Sequence, residues 1–486
     1  MDTIIYFFYF EVMNFKEKFF LHKELSKLLK LVDTYKSDKN IEIYLVGGFV
    51  RDLIINRTSK DIDFLTIGKP YDLVSFLSKK IKNSSYSIYK NFGTASLKFK
   101  DYIFEFVGSR KESYSIDSRN PNIKMGSFKD DIKRRDFTIN SLSISLNKND
   151  FGLVIDLFDG KKDLKNKIIK TCLEPETTFK DDPLRMLRAV RFATQLSFDI
   201  ENITFQGIIN NKERIKILSY NRISDELNKI IMTDKPSYGF KLLLASGLLK
   251  LIFPEMDNLK GKEKINNHTH KDNFYHTLEV LDNVSKVSDS LWLRWAAILH
   301  DIAKPLTKRY NEKVGWTFHG HEDLGSKMVP KIFKRLNLPT NHHMKFVKKL
   351  VRLHLRPIAL VKDNITDSAI RRLLYEAGND IEMLMILCKA DITSKNDEKV
   401  KKYLNNFAKV EKKMEIVEKN DKIKNFQPPI RGDEIINTFA INPSKIVGEI
   451  KDEIKERILE GKIKNNRKEA YNLMLKLGKQ KGLNTK

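Results

Sequence analysis

Only two of the 486 residues are cysteine, Cys172 and Cys388, and both sit among apolar neighbours in IIKTCLE and LMILCKAD. This excludes a disulfide framework or a cysteine-based zinc site, and makes a reducing cytoplasm the expected compartment. Long apolar runs are missing too. The N-terminal IIYFFYF falls well short of the ~20 apolar residues a bilayer-spanning helix needs, and no positive charge or small-residue cleavage site flanks it, so neither a membrane association nor a leader is expected. Translation is expected to start at Met13, from which MNFKEKFFLHKELSKLL reads as an amphipathic helix. Internal repeats and low-complexity tracts are absent, apart from a richness in lysine.

Acidic charge is in deficit. Lys plus Arg number 89 against 63 Asp plus Glu, a net charge of 89 − 63 = +26, so an anionic partner such as nucleic acid is the first candidate. Lysine on solvated faces accounts for much of this excess. The arginines are more informative: nine of 21 lie between Arg110 and Arg222, and the planar guanidinium grips phosphates and base edges. A composition of 41% hydrophobic and 31% charged residues fits a soluble globular chain, and its length suggests roughly three to four domains.

The β-rich run IEIYLVGG (41–48) stops at glycines, DIDFLTIG (61–68) alternates like a half-buried strand, and YSIYKNFGTASLKFK and DYIFEFVGS continue a small sheet. From about residue 160 the strands give way to helical spacing, as in DDPLRMLRAVRFATQL and NRISDELNKIIM. The expected fold class is therefore α+β, with a mixed-sheet head followed by all-α neck, body and tail. The expected domains are a head over 13–150, a neck over 151–235, a body over 236–400 whose histidine-rich part covers about 270–395, and a tail over 401–486.

In a strand, Asp61 and Asp63 share a face while Ile62 and Phe64 take the other. Two carboxylates that close repel unless a divalent cation lies between them, and a pair of Mg²⁺ ions held this way activates a hydroxyl and stabilises a leaving pyrophosphate. Gly47 and Gly48 let backbone N–H groups approach triphosphate oxygens, with Arg51 and Asp52 opening the next helix. In DDPLRMLRAVRF, Asp182 fits a helix N-cap with Pro183 at the first helical position, and places Arg185, Arg188 and Arg191 close to one side. A carboxylate that accepts and a guanidinium that donates can pair with a nucleobase edge. In RRDFTIN (134–140), Asp136 and Asn140 lie one turn apart if the segment is helical, and Arg134 and Arg135 can hold triphosphate or sugar. Glu105, on YIFEFV, is a candidate third carboxylate, with an ordinary solvent-facing glutamate as the alternative.

GG-x-V-R-D followed nine residues later by D-I-D, then RRDFTIN, DLFDG (156–160), DDPLR (181–185) and NRISDEL (221–227), resembles the tRNA nucleotidyltransferase and bacterial poly(A) polymerase family, class II of the nucleotidyltransferase superfamily, from about residue 40 to 480. The resemblance implies template-independent addition of CCA, or part of it, to the tRNA 3′ end. In that reading Asp61 and Asp63 are catalytic, RRDFTIN reads the ribose, and Asp182 with Arg185 selects CTP and ATP. The family's usual glutamate is Asp181 here. A poly(A) polymerase of the same family is the nearest alternative; a phosphohydrolase with an RNA-binding head and a non-catalytic RNA-binding protein are alternatives of other classes. No obligate protein partner is implied.

Nine of the ten histidines lie between His268 and His354. His276, His300-Asp301, His319, His321, His354 and Asp391 make a second constellation, in which imidazole and carboxylate suit a divalent metal of undetermined identity with a bound water as nucleophile. The order H…HD…D, with HDIAKP, resembles the HD phosphohydrolase superfamily. His276, His300, Asp301 and Asp391 are the expected ligands, and His321 and His354 leave room for a second ion.

Overall fold

In the computed structural model the described residues are 23–485, apart from 38, 40, 91–92, 114–121, 266–267, 270–271, 363–365, 395 and 425. The expected start at Met13 and the apolar N-terminal run lie outside them. The chain divides into two units, Met1–Ile230 with Tyr238–Ile252, and Ile231–Ser237 with Phe253–Lys486.

The first unit is built on a mixed sheet. Its strands are β1 (Ile43–Val46), β2 (Asp61–Thr66), β3 (Ser84–Tyr89), β4 (Thr94–Phe99), β5 (Tyr102–Gly108), β8 (Ser143–Ser145) and β9 (Val154–Ile155), in the order β3-β4-β5-β2-β1-β8-β9. β6 (Arg110–Ser113) and β7 (Asn122–Met125) form a separate hairpin. β2 and β5 run parallel and the other sheet pairs antiparallel. The helix Tyr71–Lys80 and the β3–β4 hairpin supply the crossover between β2 and β5. Apolar residues explain the stacking: Ile62, Phe64, Phe104 and Phe106 are fully buried, and the Phe64 and Phe106 rings stack 4.5 Å apart. Leu25, Leu28, Leu29 and Val32 line the buried stripe of the helix Lys23–Ser37, whose Tyr35 meets Phe76 of the crossover helix at 5.2 Å.

The remainder is largely helical, as expected, but strands do not vanish after residue 160. β10 (Ile168–Ile169) pairs in parallel with β11 (Asp199–Ile200), and β12 (Lys264–Ile265) with β13 (His268–Thr269) and β14 (Arg309–Asn311) with β15 (Gly315–Thr317) form short antiparallel pairs. Pieces this short carry no readable period of two. Two local expectations also change. RRDFTIN is not helical: Arg134 to Asp136 form an irregular turn, followed by the single 3₁₀ turn Thr138–Asn140. The helix after Asp182 runs Leu184–Leu196 with Pro183 at its cap, so Asp182 stands one residue outside it; its carboxylate still accepts the Leu184 N–H at 3.1 Å, which is a capping bond.

The core of the second unit is gathered around buried Trp295, Phe253, Phe274 and Phe333. The helices Asn273–Ser285, Leu291–Leu299, His321–Arg335, His342–Leu353 and Ile381–Ala390 carry its histidines and aspartates at or near their ends, and three helices from Gly432 to Gln480 close the chain. Among the described residues no helix is long and apolar enough to cross a membrane.

Candidate functional sites

Gly47 carries φ +77, a left-handed conformation, and a Cβ there would meet Arg135 Nη1 at 3.0 Å and Asp63 Oδ2 at 3.3 Å. Glycine is needed on both counts. The helix Gly48–Ile54 starts from this turn, and its buried Arg51 donates to Asp52 Oδ1 at 2.8 Å and to Asn140 Oδ1 at 2.7 Å. On β2, Asp61 is exposed and Asp63 half-buried, while Ile62 and Phe64 point into the core, as the strand period requires. The parallel register places Glu105 beside Asp63. Burial pushes the Asp63 carboxyl up to about 6; Arg135 pulls against this, and the Glu105 and Asp61 carboxylates add to it. The head thus stores like-charge repulsion of the kind a divalent cation relieves. Glu105 is exposed on the neighbouring strand, in register with Asp63.

RRDFTIN wraps around this turn. Arg135 Nη2 donates to Asp131 Oδ2 at 3.1 Å, and Arg134 is held by Asp131 at 2.5 Å and Glu112 at 3.2 Å. Both Asp136 oxygens are engaged: Oδ1 accepts from the Phe137 N–H at 2.9 Å and Asn140 Nδ2 at 3.0 Å, and Oδ2 from Arg188 Nε at 2.7 Å and Nη2 at 2.6 Å. Burial opposes its charge, yet Arg188 and Asn140 hold its pKa down near 2. Arg191 is likewise committed, donating from Nε to Glu226 at 2.6 Å. Arg188 and Arg191, expected to contact the nucleotide, are thus each held by a carboxylate of the same unit. Arg185 is nearly buried, with Nη2 on the Arg134 carbonyl at 2.7 Å, so the helix of DDPLR is pinned to RRDFTIN by two arginines. DLFDG is a brace: Asp156 accepts the Gly160 and Lys161 N–H groups at 2.8 and 2.9 Å, and a Cβ on Gly160 would meet the Thr138 carbonyl at 2.3 Å.

In the second unit six of the expected ligands converge. One group is His276, His300 and Asp391, the other Asp301, His321 and His354; in each, the donor atoms lie within 4.8 Å of one another. The head carboxylates are not drawn that close: among the described residues these are the only two such groups. Asp301 faces both, with Oδ2 3.2 Å from His300 Nε2 and Oδ1 3.2 Å from His321 Nε2. His319 is exposed and belongs to neither.

The tautomers are set by backbone. His300 Nδ1 faces the Ala297 carbonyl at 2.7 Å, His321 Nδ1 the Phe318 carbonyl at 2.7 Å, and His354 Nδ1 the Val351 carbonyl at 2.6 Å. A carbonyl accepts only, so each Nδ1 donates and each Nε2 lone pair is turned inward, the arrangement found in metal-ligating histidines. His321 and His354 consequently bring two Nε2 atoms within 3.3 Å, and buried His300 Nε2 has no hydrogen-bond partner. Without a cation, protons must take its place: burial disfavours the imidazolium of His300, but Asp301 and Asp391 push its pKa up to about 10. His354, buried beside His300, is pushed down to about 4. The donor set fits one or two divalent ions.

Residues 43–170 match the family described as poly A polymerase head domain, residues 197–260 the probable RNA and SrmB-binding site of polymerase A, and residues 273–396 the HD domain. The chain is 38% identical over 228 residues to the CCA-adding enzyme of Lactobacillus delbrueckii subsp. bulgaricus, a match covering 46% of this chain and 54% of that enzyme. It thus spans about half the length of that relative. It is 29% identical over 385 residues to the multifunctional CCA protein of Mannheimia succiniciproducens, covering 72% of this chain and 84% of that one. The chain belongs to the class II CCA-adding enzyme and poly(A) polymerase family. A solved Bacillus stearothermophilus CCA-adding enzyme in complex with CTP shares the fold, with a TM-score of 0.63 at 20% identity over 93% of this chain and 97% of that one. Both the family's polymerase head and the HD clusters imply metal binding.

Three residues that hold the expected site residues in place went unread in the sequence. Asp131, fully buried, orients Arg134 and Arg135; its i,i+3 and i,i+4 spacing in KDDIKRR was a legible signal. Glu226 carries no such signal, since its partner Arg191 lies 35 residues away. Lys304, with Nζ 2.6 Å from Asp301 Oδ2, stands one turn after the HD dyad.

Proposed function

We propose that this chain adds nucleotides without a template to the 3′ end of tRNA, completing CCA from CTP and ATP in the cytoplasm. The observation that carries the reading is the juxtaposition of Asp61, Asp63 and Glu105 with the Gly47 turn and Arg135 in one unit with Asp182 and Arg185. In the reaction the terminal ribose hydroxyl forms a bond to the α-phosphorus of the nucleotide, its proton is lost, and the bond to the β-phosphate oxygen breaks to release pyrophosphate. Mg²⁺ held by Asp61 and Asp63 supplies charge neutralisation at the reacting oxygens. Arg135 and the N–H groups after Gly47 hold triphosphate, and Asp182 with Arg185 offers an acceptor and a donor to the base edge. RNA affinity comes from distributed lysine and arginine contacts. We assign the head to 13–150, the neck to 151–235, the body to 236–400 and a tRNA-contacting tail to 401–486.

The HD clusters support a second activity, hydrolysis of a phosphoester such as a damaged or cyclic-phosphate RNA end, because two groups of three ligand atoms, His276 with His300 and Asp391 and Asp301 with His321 and His354, each converge within 4.8 Å. When bound there, a divalent ion supplies a water of lowered pKa as nucleophile. Asp61→Ala and Asp63→Ala test the head. Each is expected to abolish incorporation of labelled CTP and ATP into tRNA lacking its 3′ end while tRNA binding in a filter assay stays within about threefold, since RNA contacts lie elsewhere. Near-normal incorporation by either variant contradicts the assignment.

A further inference from the structure

Four sequence motifs meet at one phenylalanine to which none of them assigns a role. Phe192 lies in the helix Leu184–Leu196, 6% exposed. Three guanidiniums surround its ring: the Cζ atoms of Arg191, Arg51 and Arg188 lie 3.9, 5.1 and 5.2 Å from its centroid. Phe137 of RRDFTIN meets it edge-on, with centroids 5.9 Å apart and planes at 81°.

Each arginine has its own carboxylate, that of Arg51 next to it in sequence and those of Arg188 and Arg191 on other segments. Arg51 pairs with Asp52 at 2.7 Å, Arg188 with Asp136 at 2.6 Å and Arg191 with Glu226 at 2.6 Å. Three positive and three negative charges, 3 − 3 = 0, leave the assembly neutral, but guanidiniums gathered around one buried point repel unless something neutral and polarisable separates them. An aromatic face does this: its quadrupole attracts cations, whereas an aliphatic side chain of similar volume only excludes water. Helical spacing links this ring to the base-reading end. Arg185, Arg188 and Phe192 stand at i, i+3 and i+7, so one stripe of the helix carries all three.

We infer that Phe192 is a positioning residue that sets nucleotide selectivity by fixing the helix of Asp182 and Arg185 against the Gly47 turn. The inference rests on the proposed nucleotidyl transfer. Through Arg51 the ring is tied to the helix that follows the Gly47 turn and to Asn140; through Arg188 and Phe137 it is tied to Asp136; through Arg191 it reaches the helix Tyr220–Ile231. Moving the ring shifts the base-reading groups relative to the triphosphate turn while leaving Asp61 and Asp63 on their strand.

The test compares Phe192→Leu, Phe192→Met and Phe192→Tyr in the full chain. For each, kcat and KM are measured with CTP, ATP, GTP and UTP on tRNA lacking its 3′ end, and the equilibrium binding of each nucleotide is measured separately with Mg²⁺ present. Losing three cation–π contacts is expected to lower the preference for CTP and ATP over GTP and UTP roughly ten- to thirtyfold in Phe192→Leu and Phe192→Met, in both kcat/KM and binding. Phe192→Tyr, which keeps the ring, is expected to retain selectivity within about threefold. KM for tRNA should not move. A residue that only fills space would slow all four nucleotides alike and leave their ratios fixed, and that result overturns the inference. So does equal loss of selectivity in Phe192→Tyr. If one aliphatic variant does not fold, the other gives the same comparison. A wild-type chain that incorporates no nucleotide overturns the proposed function together with this inference; a selective wild type with unmoved variants overturns this inference alone.

Discussion

Replacing Asp63 with asparagine should stabilise the metal-free protein while destroying its activity. In the folded chain the Asp63 carboxyl titrates at about 6 instead of its ordinary 3.8, burial being the main cause, with Glu105 and Asp61 adding repulsion that Arg135 only partly offsets. That gap of about 2 pH units, at about 1.36 kcal/mol each, is a cost of about 3 kcal/mol once the group is fully ionised. Solvent reaches part of the side chain, so a gain of about 1–3 kcal/mol is expected from an isosteric neutral amide. The sign follows from the raised pKa. Below about pH 3.8 folded and unfolded chains both hold the proton and there is no cost; between 3.8 and 6 the folded chain alone keeps it and the cost grows; above 6 it is complete. Thermal unfolding of Asp63→Asn and wild type in EDTA should therefore differ by roughly 2–10 °C at about pH 7.5, by about half as much near pH 5, and not at all near pH 3.5. Nucleotide incorporation should be lost throughout. An asparagine variant no more stable than wild type at neutral pH, or a gain that does not shrink with acid, would refute the reasoning that the head holds opposed carboxylates awaiting a cation.

Arg188→Ala leaves Asp136 buried without its main counter-charge; because the arginine is itself one-third exposed, about 2 kcal/mol of destabilisation is expected by urea unfolding. With an Asp136 pKa held down near 2, wild-type stability from this pair is present above about pH 4 and fades towards pH 2, and the variant should lack that acid-sensitive step. Arg185→Ala should cost about 1–3 kcal/mol of discrimination among the four nucleotides in competition assays, with less effect on metal affinity; unchanged selectivity with a lower overall rate would move base reading to other residues. The double change His300→Ala, Asp301→Ala should release the bound metal from the HD clusters, measured by elemental analysis, and remove phosphatase or phosphodiesterase activity while CCA addition survives. Joint loss of addition and hydrolysis would indicate one shared site or a collapsed fold.

What could be read in advance was local. The alternation of Asp61, Ile62, Asp63 and Phe64 gives the face of each residue because a strand repeats every two residues, and β2 obeys it. The histidines and aspartates of the HD clusters were legible as residue types in order. Their tautomers were not, although each depends on a carbonyl only three residues upstream. Contacts across long sequence separations stayed hidden: Arg51 with Asn140 spans 89 residues, and Arg188 with Asp136 spans 52. Glu105 joins Asp63 only because an antiparallel hairpin intervenes and returns β5 parallel to β2, a topology that no run of residues displays. The ion pairs of Asp136, Arg188 and Arg191 stayed hidden for the same reason. A charged side chain in a motif looks available to a ligand until the fold supplies its partner.

The central claim, that the head and neck together choose and add nucleotides without a template, is tested most directly by incubating the full chain and Mg²⁺ with tRNA transcripts ending before CCA, after the first C and after CC, with all four nucleotides present, and sequencing the product 3′ ends. The account expects every transcript to end in a single CCA, with CMP added to the first two and AMP alone to the third. Ends that carry runs of A, random nucleotides or no addition would contradict it.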